Sequence, residues 1–286
     1  MRKVFVMMLA LLLCCWGLIL LACASRSDVQ VTRPAATALA LKTPSSKPTP
    51  TRIPSTPIPT ATPPALAGDN VQATVPASVR DNIFFRGSSS LHEIALTFDD
   101  GPHPIYTLQV LNILQRYAVK ATFFCIGRQI PAYAAIVRQV GLAGDQVADH
   151  TWDHFDLTKL SIAAIQSQLL RTAAEIGRVT DVVPHFFRPP YGAINNVVKE
   201  VSTRLGLTPV MWNVDTNDWR LPGVATIVRV ALVDAGNGSV ILMHDGGGNR
   251  SQTVQALPQI IIALEQRGFR FVTVQQLLYD TMHVNP

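Results

Sequence analysis

Residues 94–102 read Ile-Ala-Leu-Thr-Phe-Asp-Asp-Gly-Pro, a short apolar run followed by two adjacent aspartates. The apolar run predicts a buried strand over Ile94–Thr97, and the Asp-Gly-Pro sequence is typical of a turn. Taken alone, Asp99 and Asp100 are adequately explained as turn residues. A turn does not explain why a second carboxylate follows a buried strand, and this excess of charge indicates a functional site.

A second polar fragment, His150-Thr151-Trp152-Asp153-His154, follows another short apolar stretch. Thr and Trp are indifferent helix formers, so we expect a loop or a single turn here. Two surface histidines on a loop are the alternative to a functional pair. One carboxylate and two imidazoles suit a borderline-soft divalent cation and leave coordination positions open. A second carboxylate beside the first is then available as a general base.

From Ile83 onward, short apolar runs alternate with longer amphipathic stretches. The predicted strands are Ile94–Thr97, Ala121–Ile126, Gln146–Ala148, His185–Phe187, Pro209–Asn213, Ser239–Met243 and Arg270–Val272. The predicted helices are Ile105–Tyr117, Ala132–Val140, Ile162–Thr180, Asn195–Leu205, Val224–Ala235, Thr253–Arg267 and Val274–Tyr279. This alternation predicts an α/β fold with a parallel sheet, either doubly wound or closed toward a barrel.

Five fragments with polar residues lie at or directly after the ends of predicted strands, and in parallel barrels such positions converge on one pocket. They are Thr97–Pro102, His150–His154, Arg188–Gly192, Asp215–Trp219 and Leu242–His244. In this order they resemble the motifs of the polysaccharide deacetylase family, the NodB-homology domain of carbohydrate esterase family 4. The resemblance covers roughly residues 83–278. It implies an irregular (β/α)7-type barrel of the NodB-like kind.

The resemblance implies that Asp100, His150 and His154 bind a divalent metal ion. Zinc is the expected ion, although cobalt, nickel or manganese suit the same ligands. The family often has Gly-Asn before the first histidine, where this chain has Ala148-Asp149. The additional carboxylate either orients a histidine from outside the ligand set or faces solvent.

The resemblance also implies the catalytic roles. Asp99 is the general base, Arg188 holds it ionised and oriented, and Tyr191 contributes its backbone N–H to the oxyanion site. His244 is the general acid, paired with an aspartate. We favour Asp218 for that pairing over Asp215. A solvated arginine and a buried core histidine are the ordinary alternatives for the two cationic residues.

Three further residues are predicted to bind substrate together with Tyr191, namely Pro190, Trp219 and Leu242. Ordinary core packing is the competing explanation for Trp219 and Leu242. Cys125 lies in the predicted strand Ala121–Ile126, where a small buried hydrophobe is expected rather than a nucleophile.

The N-terminus predicts export. Arg2 and Lys3 precede an apolar stretch over residues 4–21, and Leu20-Leu21-Ala22-Cys23 resembles a bacterial lipobox. We therefore predict a lipoprotein-type signal peptide over residues 1–23 with lipidation at Cys23. The alternative is an uncleaved transmembrane anchor. Both place the remaining chain outside the cytoplasm, in the cell envelope.

Residues 24–82 are predicted to be a disordered Pro/Thr/Ser-rich tether, because half of the chain's 20 prolines lie there and no apolar periodicity does. Residues 1–82 contain eight Lys/Arg and three Asp/Glu, which accounts for the whole formal charge of +5. The predicted domain, residues 83–286, is neutral. A nucleic-acid-binding domain would carry its basic residues on its folded part, so we exclude that partner.

By resemblance, the chain is expected to be a metal-dependent N-deacetylase acting on an acetylated glycan and releasing acetate. Peptidoglycan N-acetylglucosamine is the leading substrate and chitin-type oligomers are the next. An O-acetyl esterase acting on xylan and a non-catalytic glycan-binding envelope protein are the alternatives. We expect a monomer.

Overall fold

A computed structural model of the protein describes residues 82–284. Residues 1–81, with the predicted signal, Cys23 and nearly all of the predicted tether, lie outside this range. Eight parallel strand segments are present in it: β1 Glu93–Gly101, β2 Ala121–Cys125, β3 Gln146–Asp149, β4 Phe186–Phe187, β5 Thr208–Pro209, β6 Val214–Asp215, β7 Ser239–His244 and β8 Arg270–Phe271. Seven helices accompany them: α1 Tyr106–Tyr117, α2 Ala134–Leu142, α3 Ile162–Thr180, α4 Asn196–Arg204, α5 Val224–Asp234, α6 Ser251–Gln266 and α7 Val274–His283.

The strands form one curled sheet in the order β5-β4-β3-β2-β1-β7-β6, and β8 pairs with the start of β1. Every strand pair is parallel, and a helix connects each pair of successive strands except β5 and β6. The predicted irregular (β/α)7-type barrel is therefore confirmed. Because β1 is an interior strand that pairs with both β2 and β7, residues at its carboxyl end lie between the ends of those two strands.

Alternation along β1 decides which side chains reach the interior of the curled sheet. Ile94, Leu96 and Phe98 are fully buried in a core shared with helices α1 and α6. Successive strand residues point to opposite faces, so Thr97 and Asp99 point the other way, into the curled interior. A second buried cluster, on the same face of β1 as Thr97 and Asp99, includes Ala95 and residues of α7. The polar site therefore rests on packed apolar layers on two sides.

The helix predictions agree with the structure to within one or two residues at most ends. The helix α3 has the predicted bounds, and the Ser161 hydroxyl caps it by accepting a hydrogen bond from the Ala164 N–H at 3.3 Å. The helix α6 ends before Gly268, whose φ of 85° suits glycine. The prediction for α7 was too short, since it continues to His283.

Two strand predictions were wrong in extent, and one strand was missed. The strand β1 continues past Thr97 to Gly101, the strand predicted over Pro209–Asn213 is only Thr208–Pro209, and β6 was not predicted. The first error matters for function, because the two aspartates lie within β1 rather than after it. Among residues 82–284, no helix has the length and apolar character needed to cross a bilayer.

Candidate active site

Asp100, His150 and His154 converge at the carboxyl ends of β1 and β3. The Oδ1 atom of Asp100 lies 3.2 Å from Nε2 of His154 and 3.5 Å from Nε2 of His150. One ligand atom from each residue can be chosen so that all lie within 4.8 Å of one another. The three residues can therefore contact a single ion.

A backbone irregularity at Asp100 allows neighbouring aspartates to serve one cavity. In the pairing of β1 with β2, the register shifts between Asp99 and Gly101, and Asp100 has a φ of 72°. In a regular strand the two side chains would point to opposite faces. A bulge redirects one of them, so both carboxylates reach the same site.

The two histidines lie on a loop, as predicted, and the loop is fixed by local hydrogen bonds. Thr151 and His154 have φ values of 65° and 62°. The Thr151 hydroxyl accepts a hydrogen bond from the His154 N–H at 3.1 Å. The Nδ1 atom of His150 lies 2.8 Å from the carbonyl oxygen of Arg188, which assigns the proton to Nδ1. This leaves Nε2 as the atom available for a metal.

The electrostatics of the three residues fit a bound cation. Asp100 Oδ1 is buried between the two imidazoles yet accepts no well-directed hydrogen bond within the described residues. Burial lowers the pKa of His150. The Asp99 and Asp100 carboxylates raise this pKa by more than burial lowers it, so the net shift is upward. The negative charge responsible would equally attract a divalent ion. One carboxylate with two imidazoles is a suitable donor set.

Asp99 is buried and paired with Arg188, one of the largest fully buried side chains in the described part of the chain. The Nη1 atom of Arg188 donates to Oδ1 of Asp99 at 2.7 Å and to the Thr97 hydroxyl at 2.8 Å. The guanidinium lies 4.1 Å from the ring centroid of Phe124 and 5.5 Å from that of Trp212. Its orientation on Asp99 is thus held from several sides.

His244, at the end of β7, is bonded to Asp218 and not to Asp215. The Nδ1 atom of His244 lies 2.7 Å from Oδ1 of Asp218, and the His244 backbone N–H donates to Oδ2 at 2.8 Å. Asp215 instead accepts a hydrogen bond from the Asn217 N–H at 2.8 Å. Burial lowers the pKa of His244, but the Asp218 contact and charge raise it more, so it lies above its ordinary value.

A cavity of about 520 Å³ joins these groups. Its lining includes Asp99, Asp100, His150, His154, Tyr191, Asp215, Trp219, Leu242 and His244. Trp219 is about half exposed, whereas Leu242 is buried within β7. Pro190 is buried and is not among the lining residues; Pro189 lines the cavity instead.

Tyr191 lines the cavity and has an unusual backbone conformation. It has a φ of 61° between Pro190 and Gly192, and its side chain is 72% exposed. Its N–H donates no hydrogen bond to any part of the chain that the structure describes. An N–H available at the cavity wall is what an oxyanion site needs.

The Asp149 side chain does not face solvent. The side chain is fully buried, and its Oδ1 accepts a hydrogen bond from the Thr151 N–H at 2.6 Å. Burial raises the pKa of Asp149 well above its ordinary value. Asp149 therefore stabilises the loop that carries His150 and His154, because it accepts a hydrogen bond from the backbone of that loop. Cys125 is buried in β2, as predicted.

Several residues that contribute to the site were not predicted. Trp212 and Arg250 line the cavity, and a Cβ on Gly247 would lie 2.3 Å from Oδ2 of Asp100. Asp245 is buried beneath Gly101 and accepts a hydrogen bond from the Thr107 hydroxyl. Trp212 was within a predicted strand, where an apolar aromatic cannot be distinguished from core by its pattern. For Asp245, Gly247 and Arg250, the only signal in the sequence was the run of three glycines at residues 246–248, before α6.

The sequence and the fold match known proteins. A family model described as polysaccharide deacetylase matches residues 86–210. The chain is 40% identical over 187 residues to a peptidoglycan-N-acetylglucosamine deacetylase of Bacillus cereus, covering 65% of this chain and 87% of that protein. It is 36% identical over 201 residues to a chitooligosaccharide deacetylase of Bradyrhizobium sp., covering 66% and 92%. The crystal structure of the Bc1960 peptidoglycan N-acetylglucosamine deacetylase superimposes with a TM-score of 0.67 and 35% identity, covering 68% and 92%.

Proposed function

This chain belongs to the polysaccharide deacetylase family of metal-dependent hydrolases, and we propose that it removes N-acetyl groups from an envelope polysaccharide. The observation that carries this proposal is the convergence of Asp99, the Asp100–His150–His154 set and His244 on one cavity. The reaction adds water across the acetamide C–N bond and yields acetate and a free amine.

Each reactive group has a partner suited to its task. When bound by Asp100, His150 and His154, a divalent cation supplies Lewis-acid chemistry, making water more acidic and a carbonyl more electrophilic. Asp99, oriented by Arg188, takes the proton from the attacking water. The Tyr191 N–H stabilises the negative oxygen that develops on the carbonyl.

Departure of the amine requires a proton, which His244 gives to the leaving nitrogen. Because Nδ1 of His244 is bonded to Asp218, Nε2 is the ring nitrogen left to act on substrate. Asp218 keeps the imidazole protonated to higher pH and fixes its orientation. Trp219 and Leu242 line the part of the cavity in which we place the substrate. We propose zinc as the ion, since two imidazoles and a carboxylate suit it.

We propose peptidoglycan N-acetylglucosamine as the leading substrate and chitin-type oligomers as the second. The names of the Bacillus cereus and Bradyrhizobium relatives support these two classes. An export signal at residues 1–23 and a tether at residues 24–82 would hold the domain, residues 83–286, beside the wall as a monomer. Lipidation at Cys23 remains the preferred means of attachment over an uncleaved anchor.

Acetate release from peptidoglycan, chitooligosaccharides and acetylated xylan tests the proposal. The expected result is release from the first two with metal present and none after chelation. Faster release from acetylated xylan would identify the O-acetyl esterase alternative. Binding of glycan without acetate release from any substrate would support the non-catalytic alternative and overturn the proposed function.

A further inference from the structure

Asp218 is held by a third residue, Thr253, which lies in the first turn of α6 and outside the five sequence motifs. The Thr253 hydroxyl donates to Oδ2 of Asp218 at 2.6 Å. Both side chains are fully buried. The two residues are distant in sequence, so the contact exists only because α6 packs behind β7 and the loop after β6.

Asp218 therefore accepts three hydrogen bonds with two oxygens. Oδ1 receives the bond from Nδ1 of His244 at 2.7 Å. Oδ2 receives the bonds from the His244 backbone N–H at 2.8 Å and from the Thr253 hydroxyl. A carboxylate rotates about its terminal torsion with little preference, so these donors decide which way Oδ1 points. The backbone N–H and Thr253 together clamp Oδ2 and leave Oδ1 directed at the imidazole.

We propose that Thr253 is a positioning residue for the proton donor, acting through Asp218 on His244. Thr253 is not among the residues that line the cavity. This inference rests on the proposed function, because it assigns Thr253 to the step in which the amine departs. Hydrogen bonds to a charged acceptor are stronger than neutral ones, so loss of this one should be measurable.

The leaving group provides the decisive test. An N-acetyl group needs a proton on its departing nitrogen, whereas an aryl acetate ester releases a stabilised phenolate that needs none. The ratio of kcat/KM for a chitooligosaccharide to that for 4-nitrophenyl acetate therefore isolates the proton donor. A residue that only supports folding would change both values together.

We expect Thr253→Val to lower this ratio about tenfold, mainly through kcat for the oligomer. Thr253→Ser retains a hydroxyl and should restore the ratio to within about twofold of wild type. Thr208→Val is the matched control, since the Thr208 hydroxyl is buried without a hydrogen-bond partner in the described residues. It should leave the ratio unchanged. Metal content and the thermal midpoint of each variant establish that it is folded.

An active wild type whose Thr253→Val variant keeps its ratio, or loses both activities equally, overturns this inference alone. A wild type that releases no acetate from the oligomer overturns the proposed function, and this inference with it. A Thr253→Ser variant as defective as Thr253→Val would also contradict it, because the hydroxyl would then not be the cause.

Discussion

The two sides of the cavity each carry a pair of opposite charges, but with the order reversed. On one side, Arg188 is sealed in the interior and the anion Asp99 lines the cavity. On the other side, Asp218 is sealed and the ring of His244 lines the cavity. In each pair the member that lies away from the cavity is fixed by further hydrogen bonds, so it orients the member that lines the cavity.

The reversal matches the two proton transfers that we propose. A permanently charged arginine behind a carboxylate favours its ionised form, which can accept a proton. A carboxylate behind an imidazole favours its protonated form, which can donate one. In this proposal the residue behind the cavity wall, Arg188 or Asp218, distinguishes the base side from the acid side.

Loss of the buried cation Arg188 should have the largest effect on stability and activity. Arg188→Met leaves the Asp99 carboxylate buried and unpaired, which should destabilise the fold by about 3–5 kcal/mol and lower kcat by about 100-fold or more. Denaturant unfolding and acetate release measure both effects. Arg178→Met, which breaks the exposed Arg178–Glu175 pair in α3, is the control and should change neither. A stable and active Arg188→Met enzyme would refute the role given to this pair.

Loss of the buried carboxylate of Asp218 should have a smaller effect on activity, and this effect should depend on pH. Asp218 raises the pKa of His244 against the opposing effect of burial, with smaller contributions from Asp99 and Asp100. Asp218→Asn removes the main upward contribution, so His244 should lose its proton at lower pH. Because the protonated form is active, the alkaline limb of the kcat/KM profile should move to lower pH, with about tenfold lower activity at neutral pH. If the alkaline limb does not move and turnover stays at the wild-type value, the partner of His244 is Asp215 or His244 needs no partner.

Removal of the predicted tether should have the smallest effect on chemistry. A truncated protein beginning at Asp81 retains both charge pairs and should deacetylate soluble oligomers as well as the full mature chain does. It should act less well on intact cell wall in vivo, because an anchor raises the local concentration. A folded truncated protein that fails on soluble oligomers would mean that the predicted domain boundary is wrong.

Much of the fold followed from the sequence, because apolar runs and amphipathic stretches alternate clearly. The bounds of α3 were predicted correctly from its apolar spacing and the Ser161 cap. The end of β1 was not, since the buried aspartates interrupt the apolar pattern while the strand continues. The strand β6, Val214–Asp215, is too short to generate a periodic signal.

The residues that we propose to react were easier to find in the sequence than the residues that support them. Asp99, Asp100, His150, His154 and His244 stand in short motifs with recognisable chemistry. Thr253 and Trp212 are supporting residues whose types are ordinary in helices and cores. Their contacts with Asp218 and Arg188 join segments distant in sequence, and one chain read alone gives no measure of such proximity.

We propose different roles for the two adjacent aspartates, a base for Asp99 and a metal ligand for Asp100, and one paired measurement tests both. Metal content and acetate release should be determined together for Asp99→Asn and His150→Ala. Asp99→Asn should retain the metal and lose about 10²–10⁴-fold of its activity, because the base is removed and the ligands are not. His150→Ala should lose metal and activity together. A fully active Asp99→Asn enzyme, or a His150→Ala enzyme with metal and activity intact, would contradict the account.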